Sequence, residues 1–252
     1  MNDGREKLKE SDVKVSLSSP FLKWLDNFWY HHKWKVIIIV FFAIVLVVGI
    51  VQMIKKKDYD IEITIATHTV FYQEDVDALE GELIRLMPGD FNGDGKKTLR
   101  INTYKIYSED ELEWANGAET DSNGNPVIYA DENFNKQQRS EFDDYIMTGE
   151  CTIMILSEYL YRDLVNRRTE DILLKPMSEI FGEDLPDGVT EDGYGIWLYK
   201  TDVYKHLKAF QWIPDDAVIC IMQPMAFRKG NSEEKYAKAV DFFKNIVEFQ
   251  FE

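Results

Sequence analysis

Cysteine is nearly missing from this chain: Cys151 and Cys220 are the two among 252 residues, too few for a disulfide scaffold. Cys151 opens the apolar run CTIMIL and Cys220 sits inside AVICIM, so both read as small buried hydrophobes. A bond between them would require neighbouring strands and a domain outside the cytosol. Histidine is as scarce. His31 and His32 belong to the N-terminal arm and His68 and His206 stand alone, so no zinc-ligand set can be assembled. The chain carries no G-x-S-x-G, H-E-x-x-H, P-loop or G-x-G-x-x-G, and the expected class is therefore non-enzymatic. His68, with no nucleophile near it in sequence, reads as a surface or packing histidine.

Positive charge is the next shortage. The chain has 29 Lys and Arg against 45 Asp and Glu, and residues 1–57 hold ten of the basic and five of the acidic side chains. That leaves 19 and 40 for residues 58–252, a net charge of −21. Such a surface repels nucleic acid and anionic headgroups. It suits divalent cations, cationic ligands or basic partners, or serves solubility alone.

What the sequence has in abundance is one apolar run. Residues 36–54, VIIIVFFAIVLVVGIVQMI, contain no charge and one polar side chain, Gln52. At about 1.5 Å per residue the run reaches roughly 28 Å, the thickness of a bilayer's hydrocarbon core. Trp24, Trp29, Tyr30 and Trp34 with Lys33 and Lys35 lie on one side, Lys55, Lys56 and Lys57 on the other, as the two lipid–water boundaries select. Phe21, Trp24, Leu25 and Phe28 suggest a short amphipathic turn lying in the interface before the span. A core helix is the competing reading. A cleavable signal peptide fits poorly, because no small-x-small site precedes KKKD, and there is no Leu-x-x-Cys lipid box. The expected layout is an arm over 1–35, a transmembrane helix over 36–54 and an extracytoplasmic domain over 58–252. Seven Lys and Arg before the span against three after it favour a single-pass cell-membrane protein, N-terminus cytoplasmic and large domain outside.

In that domain, Asp60–Ile65 alternates as a strand, and Glu74–Met87 places Val76, Leu79 and Leu83 on one helical face before Pro88-Gly89. Thr98–Ile106 alternates again. Asn133–Thr148 reads as a helix with Phe134, Phe142, Tyr145 and Ile146 inward and Gly149 at the C-cap. Cys151–Leu156 reads as a buried parallel strand and Glu158–Asn166 as a helix. Tyr194–Tyr199 and Ala217–Met222 read as further strands, and Glu233–Phe249 as a closing amphipathic helix with Tyr236, Val240, Phe243 and Val247 inward. The Asn-, Gly- and Asp-rich stretch Trp114–Ala130 reads as loop. The β-α-β-α-β-α order predicts an α/β fold, a mostly parallel sheet with helices on both faces.

Two sets of residues carry chemistry. Asp90, Asn92, Asp94 and Gly95 spell D-x-N-x-D-G, and resemble the first half of the calcium loops of dockerins and EF-hands. Lys96 would lend its carbonyl. Position twelve is Ile101, so a further ligand would have to come from Asp110, Glu111, the turn Asp121-Ser122-Asn123, or water. The expectation is a structural Ca²⁺, or a turn stapled by Asx hydrogen bonds that selects the same residues. The second set follows the first three strands: Thr67, His68 and Thr69; Tyr107 and Ser108; Ser157 and Glu158. Parallel strands bring such loops to one rim, where α/β sheets bind ligands. Ser108 and Ser157 also suit helix N-caps.

The ordered elements resemble one lobe of extracellular solute-binding proteins of the type 2 periplasmic-binding fold. The resemblance is carried by the strand Ile61–Thr67, the helix Glu74–Met87, the strand Leu99–Ile106, the helix ending YIMTGE before CTIMILSE, the run DGYGIWLYKTDVY and the late helix KYAKAVDFFKNIVEF. The layout is also similar to single-span proteins of low-GC Gram-positive bacteria with D-x-N-x-D-G between first helix and second strand. The resemblance implies a periplasmic-binding-like single lobe, since about 15 residues between Tyr199 and Ala217 leave no room for a second. The expected function is a membrane-anchored domain contacting a protein or envelope partner through its rim. The alternative is a small-molecule receptor for a transporter, and a hydrolase stands behind both.

Overall fold

The computed structural model describes residues 20–55, 59–117, 130–148, 151–167, 173–224 and 233–251. The side chains of the KKK triplet, the Asp121-Ser122-Asn123 turn and Gly149-Glu150 lie outside what it describes. Contacts divide the chain into two units, Met1–Lys57 and Asp58–Glu252.

Among the described residues the first unit is one helix, α1 (Pro20–Lys55). Pro20 opens it, where a missing N–H costs nothing. Its most apolar window has a mean hydropathy of 3.0 and none of that window is buried within the protein, so it is no core helix. It is long and apolar enough to cross a membrane. The separate interfacial turn is not seen. Phe21, Trp24 and Phe28 lie in the same unbroken helix, their rings stacked at 6.1 and 5.5 Å, because nothing between Trp24 and Val36 breaks helical hydrogen bonding.

The second unit is built on a five-stranded sheet in the order β2-β1-β3-β5-β4. Its strands are β1 (Ile61–Thr67), β2 (Leu99–Lys105), β3 (Ile153–Ser157), β4 (Gly195–Trp197) and β5 (Ala217–Ile221). β1 pairs in parallel with β2 and β3, while β5 runs antiparallel between β3 and β4. Four strands thus share a direction and one is reversed. Between them lie α2 (Gln73–Leu86), α3 (Glu109–Gly117), α4 (Glu132–Thr148), α5 (Glu158–Asn166), α6 (Met177–Phe181) and α7 (Asp202–His206), and α8 (Glu233–Val247) closes the order.

Strand alternation sorts the core into two layers. Ile63, Ile65, Ile153, Ile155, Ile219 and Ile221 face Leu79 and Leu83 of α2 and Phe242, Phe243 and Ile246 of α8. Ala66, Met154, Leu156, Val218 and Cys220 face Phe142 and Ile146 of α4 and Leu160, Tyr161 and Leu164 of α5. Both cysteines are buried thiols, not joined in a disulfide: Cys220 stands opposite Met154 in the β3–β5 register, three residues along from Cys151. Gly195 fits its place because a Cβ there would lie 2.4 Å from Val218 Cγ1 and 2.8 Å from Tyr161 Cε2.

Three expectations change. Trp114–Gly117 is helical, as the end of α3, while 118–129 of the expected loop lie outside the described residues. The strand expected over Tyr194–Tyr199 holds only over Gly195–Trp197, after which Leu198–Lys200 turns as a 3-10 helix. In α4 the inward positions are Asn135, Phe142 and Ile146, while Phe134 is 49% exposed. The buried stripe is set by Asn135, which reaches Tyr107, and Phe134 falls one residue, about 100°, away.

Candidate functional site

β2, β1 and β3 are parallel and adjacent, so their carboxyl ends form one edge, joined there by Asp215 and Asp216, which lead into the antiparallel β5. The three predicted loops do share this rim. Their side chains play unequal parts. Thr67 is fully buried and its Oγ1 accepts the Thr69 N–H at 3.4 Å, tightening the turn. Tyr107 is held through its backbone, N–H to Asn135 Oδ1 at 2.8 Å and C=O from Asn135 Nδ2 at 3.1 Å. Ser108 caps α3. Its Oγ accepts the Glu111 N–H at 3.2 Å, and Glu111 Oε2 accepts the Ser108 N–H at 2.6 Å, a reciprocal capping box. Ser157, by contrast, makes no side-chain cap on α5. Glu158 instead pairs with Arg162 one turn on, at 2.6 Å.

His68 is not isolated. Its Nδ1 lies 2.9 Å from Glu111 Oε1, at ion-pair distance though misaligned for a hydrogen bond. Asp216 sits in the same field. Burial pushes its carboxyl up from the usual carboxylate range, while His68 and the backbone N–H of Glu158 pull the other way. The buried polar atoms without a hydrogen-bond partner among the described residues are His68 Nδ1, Ser157 Oγ, Asp216 Oδ1 and Trp212 Nε1. The first three belong to this edge, and Trp212 stands edge-on to Phe71, which follows β1, at 5.6 Å. Leaving such atoms unpaired costs about 1–3 kcal/mol each. Functional edges carry costs of this kind more readily than cores do. Ser157 Oγ makes no hydrogen bond to His68, whose Nδ1 faces Glu111.

The D-x-N-x-D-G loop lies at the opposite, amino edge, just before β2. Asp90 accepts N–H bonds from Asn92, Gly93 and Gly95 at 3.0, 2.7 and 2.6 Å. Asn92 Oδ1 accepts from Asp94 at 2.9 Å and Asp94 Oδ1 from Lys96 at 2.8 Å. The Gly95 N–H, with those of Gly93 and Asn92, holds the Asp90 carboxyl below its ordinary range against a smaller opposing effect of desolvation. Gly93 and Gly95, at φ 81° and 83°, supply the left-handed turns. Ile101, at position twelve, is inside β2. Asp110 and Glu111 follow that seven-residue strand, so they stand roughly 20 Å from the loop and cannot complete it. Among the described residues no three His, Cys, Asp or Glu gather as a metal-ligand group.

Sequence reasoning passed over Asp60, whose wholly buried carboxylate ties down Phe91, Asn92 and Thr98. It also missed Glu111 and Asp216 as neighbours of His68. The spacing Ser108-x-x-Glu111 was the available signal for α3; nothing local announces Asp216, which a distant strand brings in. Comparison with protein-family models, with curated proteins and with solved structures returns no match to this chain.

Proposed function

We propose that residues 58–252 are a non-enzymatic binding domain, tethered by α1 to the cell membrane and held outside, that contacts a protein or envelope partner through the carboxyl rim. The observation that carries this is the gathering of His68, Ser157 and Asp216, each with a buried polar atom lacking a hydrogen-bond partner among the described residues, at the edge shared by three loops, with Trp212 against Phe71 beside them. The likeness to one lobe of a type 2 periplasmic-binding fold is part of the proposal. It is supported by β4 and β5 returning to the same sheet as β1 to β3, which makes one lobe of the described residues. A solute receptor that closes two lobes over a small molecule is correspondingly disfavoured.

Photoreactive side chains at Thr69, Tyr107 and Glu158, with Lys96 and Asp184 as controls, test the rim in native membranes. The same adduct is expected from all three rim positions and from neither control. Adducts at the controls alone would move the contact surface elsewhere.

A structural calcium is the second part of the proposal, with Asp90, Asn92, Asp94 and the Lys96 carbonyl as ligands. It is supported by the alternate-position oxygens that the loop's own N–H groups hold in a tight curl. Calcium titration of the full chain, compared with Asp94→Ala, decides it. Heat that vanishes in the variant is expected, and silence at millimolar calcium ends the idea.

A further inference from the structure

An open sheet has two edge strands, and this chain treats them differently. The outer side of β4 is covered by its own chain. The Thr190 N–H reaches Gly195 O at 2.9 Å, the Trp197 N–H reaches Gly188 O at 2.8 Å, and Val189 bridges Ile196. β2 pairs with β1 alone. The Thr67 carbonyl accepts the Ile106 N–H at 2.9 Å, and that bond fixes the alternation along β2. Arg100, Asn102 and Tyr104 turn their backbone groups toward β1, while Leu99, Ile101, Thr103 and Lys105 turn theirs outward. Among the described residues nothing hydrogen-bonds these outward groups. Such a row is a ready template for another strand. We infer that the free edge of β2 takes up an extended acidic segment of a partner protein as a sixth strand. This surface is separate from the rim, and the inference does not rest on the rim reading.

Charge selects the occupant. From Gly95 to Ser108 the chain carries Lys96, Lys97, Arg100 and Lys105 and no acid, in a domain whose net charge is −21. Lys96 and Arg100 are exposed. The Lys96 ammonium has no partner among the described residues, and Arg100 meets Glu62 only at 3.9 Å. Glu62 is itself engaged, accepting the Tyr145 hydroxyl at 2.6 Å and the Asn102 amide at 2.9 Å. Glu141, whose charge reaches Tyr104, accepts the Gln137 and Gln138 amides at 2.8 and 3.2 Å. Arg100 and Lys96 are thus left to meet an acid from outside.

A second copy of this chain is the poorer occupant. It would set one basic strand against another, and like charges placed opposite each other destabilise a strand pair. Lysines on an edge also discourage indiscriminate pairing. The same charges that refuse a copy admit an acidic strand. Backbone hydrogen bonds then supply the affinity, and the basic side chains choose the partner.

The test uses the full chain in nanodiscs of neutral phosphatidylcholine and a labelled nonapeptide of alternating Val and Glu. Binding is expected, together with a crosslink to the peptide from a photoreactive side chain at Thr103; the Val–Lys counterpart should give neither. Methylating every backbone nitrogen of the acidic peptide keeps its charge and removes its donors, and should weaken binding at least about tenfold. Arg100→Glu with Lys105→Glu should also weaken it at least about tenfold. Lys205→Glu with Lys208→Glu, the same charge change on residues exposed elsewhere, should leave it within about twofold. Equal binding of the methylated peptide, or equal losses in the two variants, would reduce the effect to charge alone and overturn the assignment, as would no binding at all. A Thr103 crosslink between two copies of the chain would make β2 a dimer edge and overturn it as well. Adducts at the rim positions bear on none of these outcomes, so either reading can fall alone.

Discussion

Asp60 shows how much one buried carboxylate can organise. Without exposed surface, it accepts the N–H groups of Phe91, Asn92 and Thr98 at 2.8, 2.9 and 2.6 Å and the Thr98 hydroxyl at 3.0 Å. It thereby joins both ends of the D-x-N-x-D-G loop to the start of β1. Asp60→Ala strands these donors, and denaturant unfolding should show a loss of about 3 kcal/mol. Asp60→Asn, which keeps an acceptor, should lose less. Two other carboxylates should make stability depend on pH with opposite sign. Asp90 is held below its ordinary range by N–H donors, so its contribution is complete above about pH 4 and is lost as pH falls through the folded-state value. Asp216 is raised by burial, so its contribution is complete below about pH 4 and is lost as pH rises through the folded-state value. Thermal melts across the acid range should therefore lose a part of their acid-side slope in Asp90→Asn and a part of the decline at higher pH in Asp216→Asn.

At the scale of elements, α3 is the piece whose stability is most local. It has nine residues and a single buried side chain, Ala115, and helices that short are marginal on their own. The Ser108–Glu111 capping box therefore matters more here than in α4. Ser108→Ala should cost about 1 kcal/mol, read as amide exchange at Leu112 to Asn116 faster by about fivefold. Because Glu111 also meets His68, Glu111→Gln should loosen the rim turn along with the helix. The long elements were legible from pattern. β1, β2, α2, α5 and α8 follow from strict alternation or from a stripe of Val, Leu and Phe, since burying those faces is what orders them. α3 was hidden because its polar sequence has no such stripe, and its start is signalled only by Ser108-x-x-Glu111. Phe134 was misjudged for a related reason: a hydrogen-bonding Asn135 took the inward position that hydrophobicity alone assigned to its neighbour. The rim's existence followed from strand order. Its composition did not, because Asp216 and Trp212 reach it through the reversed strand β5 and the turn ahead of it, and no local spacing encodes an antiparallel insertion. The calcium-like loop was legible as a turn, and its anchor Asp60 was not, being about 30 residues away in sequence.

For the whole molecule, two opposed physical demands meet in one chain. The apolar run of α1, roughly 28 Å long, and a domain with a net charge of −21 share one sequence; lipid is the natural solvent of the first and water of the second. If α1 holds the chain by burial in hydrocarbon, charge at its centre should release it. Arg or Lys at the middle of a span costs about 2.5–3.5 kcal/mol per residue. Ile44→Arg with Val48→Arg, both on the exposed apolar surface of the helix, should therefore shift the protein from the alkali-resistant membrane fraction to the supernatant, while Ile44→Leu with Val48→Leu should leave it in place. The side on which the domain stands is a separate question with a separate readout. The arm's seven basic residues against three after the span predict that protease added to intact cells will digest the acidic domain and spare the arm. Digestion that requires lysis would put the domain in the cytosol. The rim would then have to find its partner there, although the span itself would be untouched by that result.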